Sequence, residues 1–161
     1  MFYKEERTLQ QPLTIQKLPV NYKTLEEFKG FQSEELKGFS FTEDLSERLQ
    51  EDRTDSPYIG IYFGNRLAGR MYIEKRHTEW NKEEPVLWIH SLEVLPEYRF
   101  RGLGSAMIEF LKEFSLPIQT RAFNFSAHFW LKMNFHYDKQ TQYFYWQPKN
   151  DEQNTSSPLV C

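Results

Sequence analysis

The spacing of apolar and polar residues changes period several times along the chain, and each change marks an element. Residues 13–18, Leu-Thr-Ile-Gln-Lys-Leu, alternate with period two and predict a strand that Pro19 ends. Leu25, Phe28 and Phe31, then Leu36, Leu45 and Leu49, are spaced as on helices, and Gly30 and Gly38 interrupt the pattern. Two short helices with a loop near 37–42 are expected. Ser56-Pro57 opens a β region. Residues 58–63 and 66–75 read as strands joined by a two-residue Gly64-Asn65 turn. Residues 76–85 are polar and loop-like, whereas 86–95 are apolar on both faces in their first half, as in a central strand.

Residues 101–114 predict a helix, because Leu103, Ala106, Met107, Phe110, Leu111 and Phe114 share one face. A strand over 117–123 follows, then a short helix over 126–133 with Asn124 or Ser126 available as a cap. Residues 135–137 and 142–147 form a terminal hairpin. The element order predicts an α/β fold with a mixed sheet, in one domain over residues 1–148 with no internal repeat. Residues 149–161, rich in Asn, Asp, Ser and Gln, predict a disordered tail.

Composition narrows the function classes. Fourteen Phe, nine Tyr and four Trp supply the core and concentrate in the second half, where they could also pack a homodimer. A net charge of −3 argues against nucleic acid as a partner, because phosphate backbones are met by a basic stripe. The only cysteine is Cys161, so no internal disulfide forms and a reducing compartment fits. No apolar run reaches the roughly 18 residues of a membrane span, and the acids near the N-terminus do not fit a secretory signal. The expectation is a cytoplasmic protein without a membrane partner. No metal site is expected: His77 and Glu79 lack a third ligand at suitable spacing, and His128 and His136 read as surface or packing residues.

The stretch that carries chemistry runs from Leu92 to Ser105, Leu-Glu-Val-Leu-Pro-Glu-Tyr-Arg-Phe-Arg-Gly-Leu-Gly-Ser. A buried strand enters a short turn, and two glycines open an amphipathic helix. The first turn of a helix has backbone N–H groups without helical partners and the positive end of the dipole, which together seat a phosphate. Gly102 and Gly104 allow close approach to the backbone, while Arg99 and Arg101 add cationic donors. The turn is not a Walker loop, since no Gly-Lys-Ser/Thr follows. Nor is it the dinucleotide Gly-x-Gly-x-x-Gly, since Met107 takes the last position.

Arg99-Phe-Arg-Gly102-Leu-Gly104, preceded by Val94-Leu-Pro96-Glu-Tyr, resembles the Arg/Gln-x-x-Gly-x-Gly/Ala signature of the GNAT superfamily of N-acetyltransferases, including its uncharacterised bacterial members. Trp130-Leu-Lys132-Met-Asn134-Phe135 resembles the family's Tyr-x-Lys-x-Gly-Phe block. Asn124 stands near the family's asparagine, one residue closer to the aromatic than usual. The motifs cover residues 57–137, and the element order extends the likeness to 13–148.

The resemblance implies a GNAT-like, mostly antiparallel mixed sheet whose central strands, 86–95 and 117–123, splay apart, with helices on both faces. It implies acetyl-coenzyme A as co-substrate. The backbone of Leu92, Glu93 and Val94 would pair with the pantetheine arm. The pyrophosphate would rest on Phe100, Arg101, Gly102, Leu103, Gly104 and Ser105, with Arg99 nearby, and Asn124, Ser126 and Trp130 would line the cofactor site. The acceptor would be a small-molecule or peptide amine.

An attacking amine must be neutral. For a lysine-like amine, deprotonation at pH 7 costs about 4.6 kcal/mol, whereas a cysteine-like thiolate lies only about 2 kcal/mol away. A missing acid is therefore tolerated more easily than a missing base. His90, four residues before Val94 on a strand where many family members carry Glu, is the first candidate base. Glu93 is the second; it lies on the opposite face from His90 and would need a bulge to reach the same side. The alternative for His90 is a hydrogen-bonded core histidine. Trp130 replaces the family's tyrosine and cannot act as an acid. That substitution leaves open a coenzyme A-binding regulatory module without turnover, and the aromatic-rich half leaves open an interaction domain.

Overall fold

The computed structural model describes residues 12–31, 39–77, 84–121 and 126–149. Most of the expected tail, Leu36, Glu79 and Asn124 lie outside them. The strands are β1 (Leu13–Lys17), β2 (Tyr58–Phe63), β3 (Arg66–His77), β4 (Pro85–Val94), β5 (Ile118–Thr120), β6 (His136–Asp138) and β7 (Tyr143–Trp146). The helices are α1 (Tyr22–Lys29), α2 (Phe41–Gln50), α3 (Leu103–Lys112) and α4 (Ala127–Lys132). The strands are ordered β1-β2-β3-β4-β5-β7-β6, mostly antiparallel with one parallel pair. The α/β class with a mixed sheet is as the sequence predicts. The chain divides into two compact units, residues 1–74 with 89–108, and 75–88 with 109–161.

In the first unit β1 runs antiparallel to β2, from Leu13 opposite Phe63 to Lys17 opposite Ile59. The β2–β3 hairpin turns at Gly64-Asn65, and Ala68 is an extra residue: Ile61 faces Gly69 while Tyr62 faces Leu67. Beyond the bulge β3 lies close to its neighbours. A Cβ on Gly69 would stand 2.8 Å from Ile61 Cγ2 and 3.2 Å from the Glu93 carbonyl, so only glycine fits without displacement.

Helices α1 and α2 are capped by their own sequence. Asn21 Oδ1 accepts from Thr24 N at 2.8 Å, and Ser40 Oγ from Glu43 N at 3.2 Å. They bury Phe28 from α1 and Phe41 and Leu45 from α2, which join Leu18, Phe31, Tyr58, Leu67 and Leu95 in one core. Phe28 packs edge-on against Phe41 and Tyr58, with centroids 5.5 and 5.2 Å apart.

In the second unit β7 pairs antiparallel with both β5 and β6 and so sits between them. Within this unit Leu87 N, near the start of β4, donates to the Pro117 carbonyl at 2.8 Å. Helix α4 ends in a left-handed cap. Asn134, at φ 66, follows the last turn. Its N–H donates to Leu131 O at 3.0 Å, and the Phe135 N–H donates to Trp130 O at 3.0 Å. Asparagine tolerates this conformation, which accounts for its presence where the family's block carries glycine. Lys112 Nζ, at the end of α3, donates to the Met133 carbonyl at 2.7 Å.

Two elements differ from expectation. The helix expected from residue 101 begins at Leu103, because Phe100 and Gly102 take φ of 64 and 81, which no right-handed helix contains. The strand expected over 117–123 is present at Ile118–Thr120 and has ended by Arg121, while residues 122–123 lie outside the described residues.

Candidate active site

Strand β4 leaves the sheet at a fixed point, where Leu95 N donates to the Ala68 carbonyl at 2.8 Å. A single 3-10 turn follows over Pro96–Tyr98. Two contacts hold that turn: Arg99 Nε donates to the Val94 carbonyl at 3.0 Å, and Arg66 pairs with Glu97 at 2.7 Å. Arg99 is thus turned back toward its own strand by one of its nitrogens, while Arg101 lies exposed beside Tyr98.

After the left-handed Phe100 and Gly102, the first helical bond runs from Ala106 N–H to the Gly102 carbonyl at 2.9 Å. The N–H groups of Leu103, Gly104 and Ser105 therefore have no partner inside the helix. Among the described residues, its chain neighbours aside, nothing lies within 4 Å of where a Cβ on Gly102 would stand, so the turn opens outward. Donors, dipole and open space converge as a diphosphate requires, and the residues present fit that group.

The two acid–base candidates on β4 meet opposite environments. Glu93 is 6 % exposed. Its Oε1 receives Arg70 Nε at 2.9 Å and Nη2 at 2.8 Å. Arg70 in turn donates through Nη1 to the Phe28 carbonyl at 3.1 Å, with Phe31 and Phe41 ring centroids each 4.2 Å from its guanidinium carbon. Burial lowers the basicity of Arg70, and the Glu93 carboxylate opposes that fall.

The His90 side chain, 28 % exposed, meets Glu74 instead, with Nε2 2.5 Å from Oε2. Tyr72 stands edge-on to the imidazole at 4.9 Å. The Tyr72 hydroxyl receives Arg48 Nη2 at 3.0 Å, and Arg48 is held by Asp44 and Asp55 at 2.9 and 3.1 Å. The structure thus brings His90 together with Tyr72 and Glu74, and Glu93 together with Arg70. Neither Glu74 nor Arg70 stands out in the sequence. The hydrophobic pattern identifies their strand, but their partners depend on how β3 pairs with β4.

In the second unit, Trp130 is 5 % exposed and packs against Phe129 and Phe135, with centroids 5.0 and 5.1 Å away. Ser126 precedes α4 and is half-buried, and its side chain makes no cap hydrogen bond. Among the described residues no cluster of His, Cys, Asp or Glu could hold a metal ion, and no helix is long and apolar enough to cross a membrane.

The family model of the acetyltransferase (GNAT) family matches residues 25–135, which include the whole strand–turn–helix segment. This chain belongs to the GNAT family. An uncharacterised N-acetyltransferase of Bacillus pumilus is 39% identical over 152 residues, 88% of this chain and 96% of the relative. YlbP of Bacillus subtilis, also described as an uncharacterised N-acetyltransferase, is 38% identical over 152 residues, 88% of this chain and 95% of its own. The crystal structure of YlbP in complex with coenzyme A superposes with a TM-score of 0.68 at 36% identity, over 85% of this chain and 97% of that one. Naa50 of Arabidopsis thaliana, in complex with a bisubstrate analogue, shares the fold with a TM-score of 0.58 at 14% identity, over 83% of this chain and 95% of that one.

Proposed function

We propose that this GNAT protein transfers an acetyl group from acetyl-coenzyme A to a primary amine of a small molecule or peptide, by direct attack in a ternary complex. One observation carries the reading: the open, donor-rich turn at the start of α3 follows directly on the strand that presents His90 to solvent. The coenzyme A complex of YlbP supports the cofactor assignment.

The N–H groups of Leu103, Gly104 and Ser105 hold the pyrophosphate, and the backbone of Leu92–Val94 holds the pantetheine arm. The coenzyme supplies the acetyl group as a thioester and carries away the thiolate. His90 takes the proton that the attacking amine sheds, so a nitrogen–carbon bond forms as the carbon–sulfur bond breaks. His90 lies about 13 Å along the strand from Val94, at ~3.3 Å per residue, which separates proton transfer from phosphate binding. Glu93, committed to Arg70, holds the strand in place and does not serve as the base.

Incubation of the protein with labelled acetyl-coenzyme A and a mixture of metabolite and peptide amines, read by mass spectrometry, identifies the acceptor. With that acceptor, His90→Ala should lower turnover by about 10²- to 10⁴-fold and leave coenzyme A affinity unchanged. If coenzyme A binds and no amine is ever labelled, the chain is a coenzyme A-binding regulatory module.

A further inference from the structure

We propose that Glu74 is the positioning residue for His90: it fixes the neutral imidazole with hydrogen on Nε2 and the lone pair on Nδ1. This rests on the assignment of His90 as the base. An ionised carboxylate accepts hydrogen bonds and cannot donate one. With Oε2 of Glu74 at 2.5 Å, Nε2 of His90 must carry the hydrogen. A neutral imidazole has one donor nitrogen and one acceptor nitrogen, so the acceptor is Nδ1. A proton taken up by this ring therefore goes to Nδ1, and the imidazolium that results stays paired with Glu74.

The rest of the arrangement supports a fixed ring. Tyr72 and Glu74 are two residues apart on β3 and so share one face of the strand. They bound the imidazole differently: Tyr72 meets it edge-on at 87°, and Glu74 takes a nitrogen. Tyr72 is itself fixed, by Arg48 at its hydroxyl and by edge-on contact with Phe39 and Tyr58 at 4.8 and 5.8 Å. The hydrogen bond from Glu74 and the stacked order behind Tyr72 together leave the ring little freedom to flip.

Nitrogen-15 NMR of the imidazole in the free protein, above the pH at which the ring is charged, reads the tautomer directly. His90→Ala assigns the signal. The wild type should show hydrogen on Nε2 alone. Glu74→Ala should convert this to a mixture of both tautomers in a protein that circular dichroism shows to be folded. Glu74→Gln, whose amide can accept through its oxygen or donate through its NH2, should give a mixture as well, because only the acceptor-only carboxylate selects one tautomer. Hydrogen on Nδ1 in the wild type, or the same tautomer in Glu74→Ala, overturns the proposal. The measurement needs no acceptor, so it is independent of the turnover test: activity retained in His90→Ala would remove the base assignment and with it this role, whereas activity lost there beside an unaltered tautomer in Glu74→Ala would remove Glu74 alone.

Discussion

Two ionisable residues three positions apart on β4 show how strongly surroundings decide what a side chain can do. Glu93 and Arg70 form a pair with side chains only 5 % and 3 % exposed, bounded by aromatic rings. Desolvation of such a pair cancels much of its attraction, but removing one partner leaves a buried charge unmatched, at a cost of about 3–5 kcal/mol. Glu93→Gln should lose stability on that scale in denaturant unfolding, while the folded fraction keeps the wild-type dependence of turnover on pH. A stable Glu93→Gln protein with a lost pH limb would transfer the base role from His90 to Glu93. Replacing both members, as in Arg70→Met with Glu93→Leu, should recover most of the stability, because the apolar pair needs no compensation.

At the scale of elements, helix α2 is tied to the hairpin by a polar cluster rather than by apolar contact alone. The Tyr58 hydroxyl donates to Asp44, and Arg48 bridges Asp44, Asp55 and Tyr72. Burial opposes the charge on Arg48, yet the hydrogen bond and charge of Asp44 outweigh it and raise its basicity. Burial, reinforced by the hydrogen bond to Asp44, pushes the Tyr58 phenol well above its ordinary 10.0, and Tyr62, bonded to Glu27, moves the same way for the same reasons. The sign follows from linkage. Above about pH 10 the unfolded chain releases these protons and the folded chain keeps them, so stability is full below that pH and falls as pH rises beyond it. Alkaline unfolding monitored by circular dichroism should show this fall, and Tyr58→Phe should make it shallower although its stability at neutral pH is lower. An equal slope in both proteins would show that Tyr58 titrates normally.

For the whole molecule, coenzyme A acts as a stabilising ligand if it binds only the folded chain. At 100 times its dissociation constant the gain is about 2.7 kcal/mol, readable as a rise in melting temperature. Gly104→Asp places a carboxylate at the first turn of α3, where the phosphates are to bind, and should abolish that rise without unfolding the protein. A thermal shift of wild-type size in this variant would exclude the α3 turn as the phosphate seat.

The local pattern was sufficient for much of this protein. The Gly64-Asn65 hairpin, the amphipathic α3 and the Gly-x-Gly turn are each written in fewer than about fifteen consecutive residues, because period, turn chemistry and helix face depend on neighbours in sequence. For the same reason the family signature at Arg99–Gly104 was legible before any contact was known. What tertiary structure alone decided are partners chosen across strands. The position of β7 between β5 and β6 is set by pairing over some 25 residues of separation, which no local spacing encodes. Alternation along β4 puts His90 and Glu93 on opposite faces, but it does not say which face is buried. Arg70, locked among Phe28, Phe31 and Phe41, decides that Glu93 turns inward, and Glu74 on the neighbouring strand is what His90 finds at the surface.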